Sequence, residues 1–182
     1  MNLKRISLGS FQLSSGQMAV SDPCYDRDTS DDMRGELSNV KNGTWNAFSL
    51  RGDVPMWGDR IHELQVLHES ISYEAASNAT WIQDETFHVG VDSGQAGFFD
   101  NAKYPYGNIG EYGETETFYG RVCKTTLNES AGGIIENFGV ASSSGYGDGC
   151  YQCFVLRNEQ DEIVGSKIIF ISPESEENDV EI

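Results

Sequence analysis

Glycine punctuates this chain 20 times in 182 residues, and the stretches between glycines are dense in aromatic and β-branched side chains. Nine Phe, eight Tyr and three Trp lie among them, in runs such as "CYQCFVL" and "SKIIFI". Such side chains suit the pleated surface of a strand, and glycine supplies the positive φ that tight turns require. The pattern predicts a mainly β fold: an antiparallel β-sandwich or a strongly curved sheet, with one helix.

The local signals divide the chain further. "LKRISLGSFQL", residues 3–13, reads as a strand interrupted near Gly9. Met18, Ala19 and Val20 form a short strand that must stop at Asp22-Pro23, because proline has no N–H for a sheet ladder and holds its predecessor extended. "DRDTSDDMRG" reads as an exposed acidic loop, and "GELSNVKNGTWNAFSL" as a hairpin turning at Asn42-Gly43. Strands are expected in "DRIHELQVLHESI" and "ETFHVGVDSG". The helix is expected over about 115–127, with Phe118, Val122 and Thr126 at i, i+4 and i+8, Cys123 beside them, and Thr115 near its start. From Gly132 onward three strands are expected, the first pair linked through "GYGDG" and the last pair turning at "NEQDE". Residues 1–172 read as a single domain and 173–182, with five acids and no base, as a disordered tail.

Charge narrows the partners. Twelve basic residues against 29 acidic ones give a net charge of −17. Phosphate backbones and anionic membranes are bound through Lys and Arg, so nucleic acid and membrane surfaces are disfavoured. The field instead attracts cations or basic protein surfaces. The N-terminus lacks an apolar signal core and no run approaches the ~20 apolar residues of a membrane span, which points to the cytoplasm and to reduced cysteines. Cys150 and Cys153 have C-x-x-C spacing, but on a strand they face opposite ways and cannot form a metal knuckle.

Four stretches together carry a resemblance. They are "AVSDPCY", "VGVDSGQAGFFD", the aromatic-rich helix, and "VASSSGYGDGCYQCFVLRNEQDEIVGSKIIFI". In this order, from about Met18 to Ile171, they resemble the bacterial and phage domain-of-unknown-function family numbered 4241. The resemblance implies a compact, mainly β fold with one helix. It implies no established activity and so supplies no catalytic residue.

The residues themselves offer three chemistries. Asp22, Asp92, Asp100 and Asp148 all fall at or near strand ends. If their loops converge, hard oxygen ligands would suit Ca²⁺ or Mg²⁺; if not, the same aspartates cap local turns. Asp92, Ser93 and Asp148, with Phe99 and Tyr146 for contact area, would hold a protein or a small polar ligand. An enzyme would need His88 to work with Asp92, yet four residues on a strand span roughly 13 Å. Ser93 also lacks the G-x-S-x-G elbow, and "GYGDG" lacks the Lys and Ser/Thr of a phosphate loop. The leading expectation is a binding module. The alternatives are a metal-dependent hydrolase using the same carboxylates with His88, and an acidic decoy or immunity-type protein occupying a basic partner.

Overall fold

The computed structural model describes residues 3–29, 33–107 and 109–172. Its strands, in chain order, begin with β1 (Lys4–Leu13), β2 (Gln17–Ser21), β3 (Gly35–Ser38), β4 (Gly43–Val54) and β5 (Gly58–His68). After the short helix α1 (Tyr73–Ser77) come β6 (Ile82–Gln83), β7 (Val89–Val91) and β8 (Gln95–Asp100). Helix α2 (Phe118–Thr126) then precedes β9 (Gly132–Ile135), β10 (Gly139–Ser143), β11 (Gly149–Arg157) and β12 (Ile163–Ile169). They form two antiparallel sheets. The seven-stranded one runs β1-β4-β5-β12-β11-β6, with β7 also on β11; the five-stranded one runs β3-β2-β8-β10-β9.

Between the sheets lies the main core. Phe11, Trp45, Ala47, Leu64 and Val66 from the larger sheet meet Met18, Val20, Phe98 and Val140 from the smaller one. Alternation along β8 explains why "FF" suits this place. Phe98 enters the inter-sheet core, while Phe99 points to the opposite face and joins Tyr104, Phe118, Val122 and Phe138 beneath α2. Fully burying each ring contributes about 1.5–3 kcal/mol. β8 is buried at all six positions because it is covered on both faces. The outer face of the larger sheet is covered by α1 and its flanks, which bury Leu67, Ala76, Leu156 and Val164 with Trp81 packed against them.

The mainly β expectation and its sandwich form are met. α2 buries Phe118, Val122, Cys123 and Thr126, the expected stripe. Its N-cap, however, is Thr117, whose hydroxyl accepts the Gly120 N–H at 3.2 Å. Thr115 belongs to a preceding loop that packs so closely on Gly120 that a Cβ there would sit 1.9 Å from the Glu114 carbonyl oxygen.

Three other local expectations are corrected. Asn42-Gly43 is no hairpin turn, since β3 pairs with β2 in one sheet and β4 with β1 and β5 in the other. The segment crosses between layers, held where the Asn42 side chain accepts the Gly16 N–H and Val40 bridges to Ile163 in parallel. The closing stretch holds four strands rather than three, because β9 pairs with β10 despite its two glycines. The strand expected across "ETFHVGVDSG" shrinks to Val89–Val91. The proposed tail, 173–182, lies outside the described residues. Among those described, no helix is long and apolar enough to cross a membrane.

Candidate functional site

Proline at 23 ends β2 and leaves Asp22 at a corner, fully buried. A buried carboxylate needs donors, and Asp22 has four. Oδ1 accepts the Cys24 N–H at 2.8 Å and the Ser93 hydroxyl at 2.6 Å. Oδ2 accepts the Asp92 and Ser93 N–H groups at 2.9 and 2.7 Å. The Asp22 side chain therefore rivets the end of β2 to the β7–β8 turn. From the helical side, Tyr104 secures the same corner by donating its hydroxyl to the carbonyls of Asp22 and Tyr25.

A second turn is drawn alongside. Gly149 pairs with Val91, and the Ser144 N–H donates to the Gly94 carbonyl at 3.1 Å. This brings residues 144–149 against residues 92–94. The turn needs glycine at 145, which has φ +62 and where a Cβ would stand 2.9 Å from the Phe170 Cβ. Three of the sequence-marked loops thus converge at one end of the sandwich. Asp92 is exposed there and accepts the Tyr25 hydroxyl at 2.5 Å; Asp148 is exposed on the neighbouring turn.

The other marked residues are placed elsewhere. Asp100 pairs with Met18 at the far end of β8, whereas Gly97 pairs with Ser21 near Asp22. Its carboxylate accepts the Ser14 N–H and hydroxyl and the Ala102 N–H. Burial opposes its charge, but hydrogen bonds from Ser15, Ser14 and Ala102 outweigh that and hold its carboxyl below the usual range. Phe99 is fully buried and gives a ligand no contact area. His88 is exposed just before β7, at the opposite end of that strand from Asp92. Among the described residues, no three His, Cys, Asp or Glu side chains are grouped to hold a metal ion.

Two cavities open between the converging loops and share Gly94 and Ser143. The smaller, about 150 Å³, is walled by Ser93, Gln95, Tyr119, Cys123, Tyr112 and Leu127. A polar chain runs through its base. The Gln95 amide donates to the Ser93 hydroxyl at 3.2 Å and to the Cys123 sulfur at 3.4 Å, and Gln95 accepts the Thr126 hydroxyl at 2.6 Å. Burial pushes the Tyr119 phenol up to about 12, against a hydrogen bond with Ser93, so it stays a neutral donor at physiological pH. Burial, with the Asp22 charge beside it, also raises the Cys24 thiol, keeping it protonated and unreactive.

The larger of the two cavities, about 250 Å³, is walled by Arg51, Asp59, Arg60, Ser144, Gly145 and Tyr146. Trp57 extends its rim, with its ring edge-to-face on Tyr146 at 5.3 Å and the Arg60 guanidinium 5.9 Å from its centroid. Another space beside α2, about 420 Å³, shares no residue with these loops, and Arg121 there is paired to Glu136 at 2.6 Å.

Sequence reasoning did not single out Arg51, Arg60, Trp57, Gln95 or Tyr119. Three of them had a local signal. "PMWG" puts a tryptophan on a hairpin tip, and two arginines flank that tip in a chain poor in bases. Gln95 and Tyr119 had none, because only folding brings β8 and α2 together.

A family model described as a protein of unknown function, DUF4241, matches residues 11–168. No curated protein and no solved structure matches the chain.

Proposed function

The chain belongs to the DUF4241 family of proteins of unknown function, and on that fold we propose that the paired cavities make it a binding module for a small polar ligand. One observation carries this reading: the two cavities meet at Gly94 and Ser143, with walls that the Asp22 rivet and the Gln95 chain already hold in place. A site whose polar groups are set before the ligand arrives loses little entropy on binding. Ser93 speaks for binding over hydrolysis. Its hydroxyl donates to a carboxylate already filled by three backbone N–H groups, and no histidine stands in the relay. Asp92 and Asp148 are exposed next to the lining residues Ser93 and Gly147, where they would select ligand hydroxyl or amine groups.

The test is an NMR titration of isotope-labelled protein with glucose, glycerol, citrate and inorganic phosphate. At least one should produce saturable shifts confined to residues lining the two cavities, among them Gly94, Gln95, Ser143, Ser144, Gly145 and Gly147. Shifts scattered over the surface, or none with any probe, would remove the reading.

A further inference from the structure

Arg51 is a largely enclosed cation on β4, its side chain only 18% exposed. It sits on β4 at the register shift between Leu50 and Arg51 and lines the cavity of about 250 Å³. Its guanidinium is incompletely satisfied. One terminal nitrogen donates to the Glu129 carbonyl at 2.9 Å and the other meets Asp59 at 2.7 Å, while Nε is buried with no hydrogen-bond partner among the described residues. A buried donor left without an acceptor is costly. Asp59 serves only one position of a fork that is shaped to take two oxygens of one anion. It is also the looser partner, 58% exposed at the end of a hairpin.

Arg60 lines the same cavity. Among the described residues its one hydrogen bond is to the Asp59 carbonyl at 3.3 Å, and no carboxylate lies within ion-pairing distance of it. Two guanidinium groups and one exposed carboxylate, beside the glycine turn at 145–147, therefore face a space sized for a small molecule. In a chain with 29 acids, such a concentration of arginine is a local reversal of the overall field.

We infer that this cavity takes the oxyanion group of a small ligand, a carboxylate or a phosphate, and that Asp59 is its intramolecular stand-in. The inference rests on the binding reading above and adds the ligand's chemical class. When the anion enters, Asp59 swings out to solvent, two ligand oxygens bridge the Nε–Nη2 edge of Arg51, and Arg60 closes on the remaining oxygen. Trp57 and Tyr146 then flank the carbon skeleton. The net charge repels anions at long range, but at physiological salt that repulsion is screened beyond about 8 Å, so the local pair decides.

The experiment titrates citrate and inorganic phosphate at constant ionic strength, with chloride as the anion control and glycerol as the neutral one. Amides of Gly94, Ser144 and Gly145 should shift saturably with citrate, phosphate or both, and the stronger response identifies the oxyanion. Arg60→Gln should weaken binding roughly tenfold, the loss of one charge-assisted contact. Asp59→Asn should tighten it at least about threefold, because the internal competitor is gone. Both positions lie at the surface, and thermal melts check that both variants fold. Unchanged affinity in Arg60→Gln, or weaker binding in Asp59→Asn, overturns the inference. If glycerol or glucose shifts the smaller cavity while neither anion shifts the larger one, the anion assignment falls and the binding reading stands. If no probe shifts either cavity, both fall.

Discussion

Asp22 lies where a proline-terminated strand meets a glycine-bearing turn, and its two oxygens accept four donors from two separate segments. Three of these are backbone N–H groups, so the carboxylate replaces ladder bonds that the strand ends cannot make for themselves. Asp22→Asn tests this with almost no change of volume. The amide would turn donors toward the N–H groups of Asp92 and Ser93 and leave both unsatisfied. A destabilisation of about 3 kcal/mol is expected, read from the midpoint of urea unfolding; a loss below about 0.5 kcal/mol would show that the rivet carries little. The same residue illustrates a limit of sequence reading. Four aspartates looked alike by position, yet Asp22 is buried in structural bonds, Asp100 caps the far end, and only Asp92 and Asp148 are exposed, each beside a residue that lines a cavity.

Among the elements, β8 organises the molecule. It lies between β2 and β10 and carries Phe98 into one core and Phe99 into the other. Gly97 stands between β2 and β10 with no room for a side chain: a Cβ would lie 2.4 Å from the Val140 carbonyl oxygen and 2.6 Å from the Phe99 ring. Gly97→Ala should therefore cost about 2–3 kcal/mol through overpacking, measured by thermal or urea unfolding. A neutral result would show that the Phe99 layer can shift to make room. α2 was legible because its stripe repeats at helical spacing. β9 and α1 were not, since two glycines hide a strand and five residues are too few to display a period.

For the whole molecule, a charge of −17 on 182 residues means self-repulsion that opposes the compact state. Raising NaCl from about 10 mM to about 150 mM shortens the Debye length from roughly 30 Å to roughly 8 Å. The melting temperature should rise by about 2–4 °C, equivalent to about 1 kcal/mol for a chain this size. A fall would mean that the surface ion pairs outweigh the repulsion. At this scale the division between sequence and structure is plain. Alternating and punctuated apolar runs were enough to specify strands, the helix stripe, the stop at Asp22-Pro23 and the closing β11–β12 hairpin, because each depends on neighbours close in sequence. Tertiary structure alone decided that β3 and β4 part into different sheets, that Asp100 leaves the company of the other aspartates, and that Arg51, Arg60 and Gln95 line the cavities. Those outcomes depend on which strands pair across the chain, as when Gly149 meets Val91. Such pairing is set by the burial of whole faces rather than by any local run of residues.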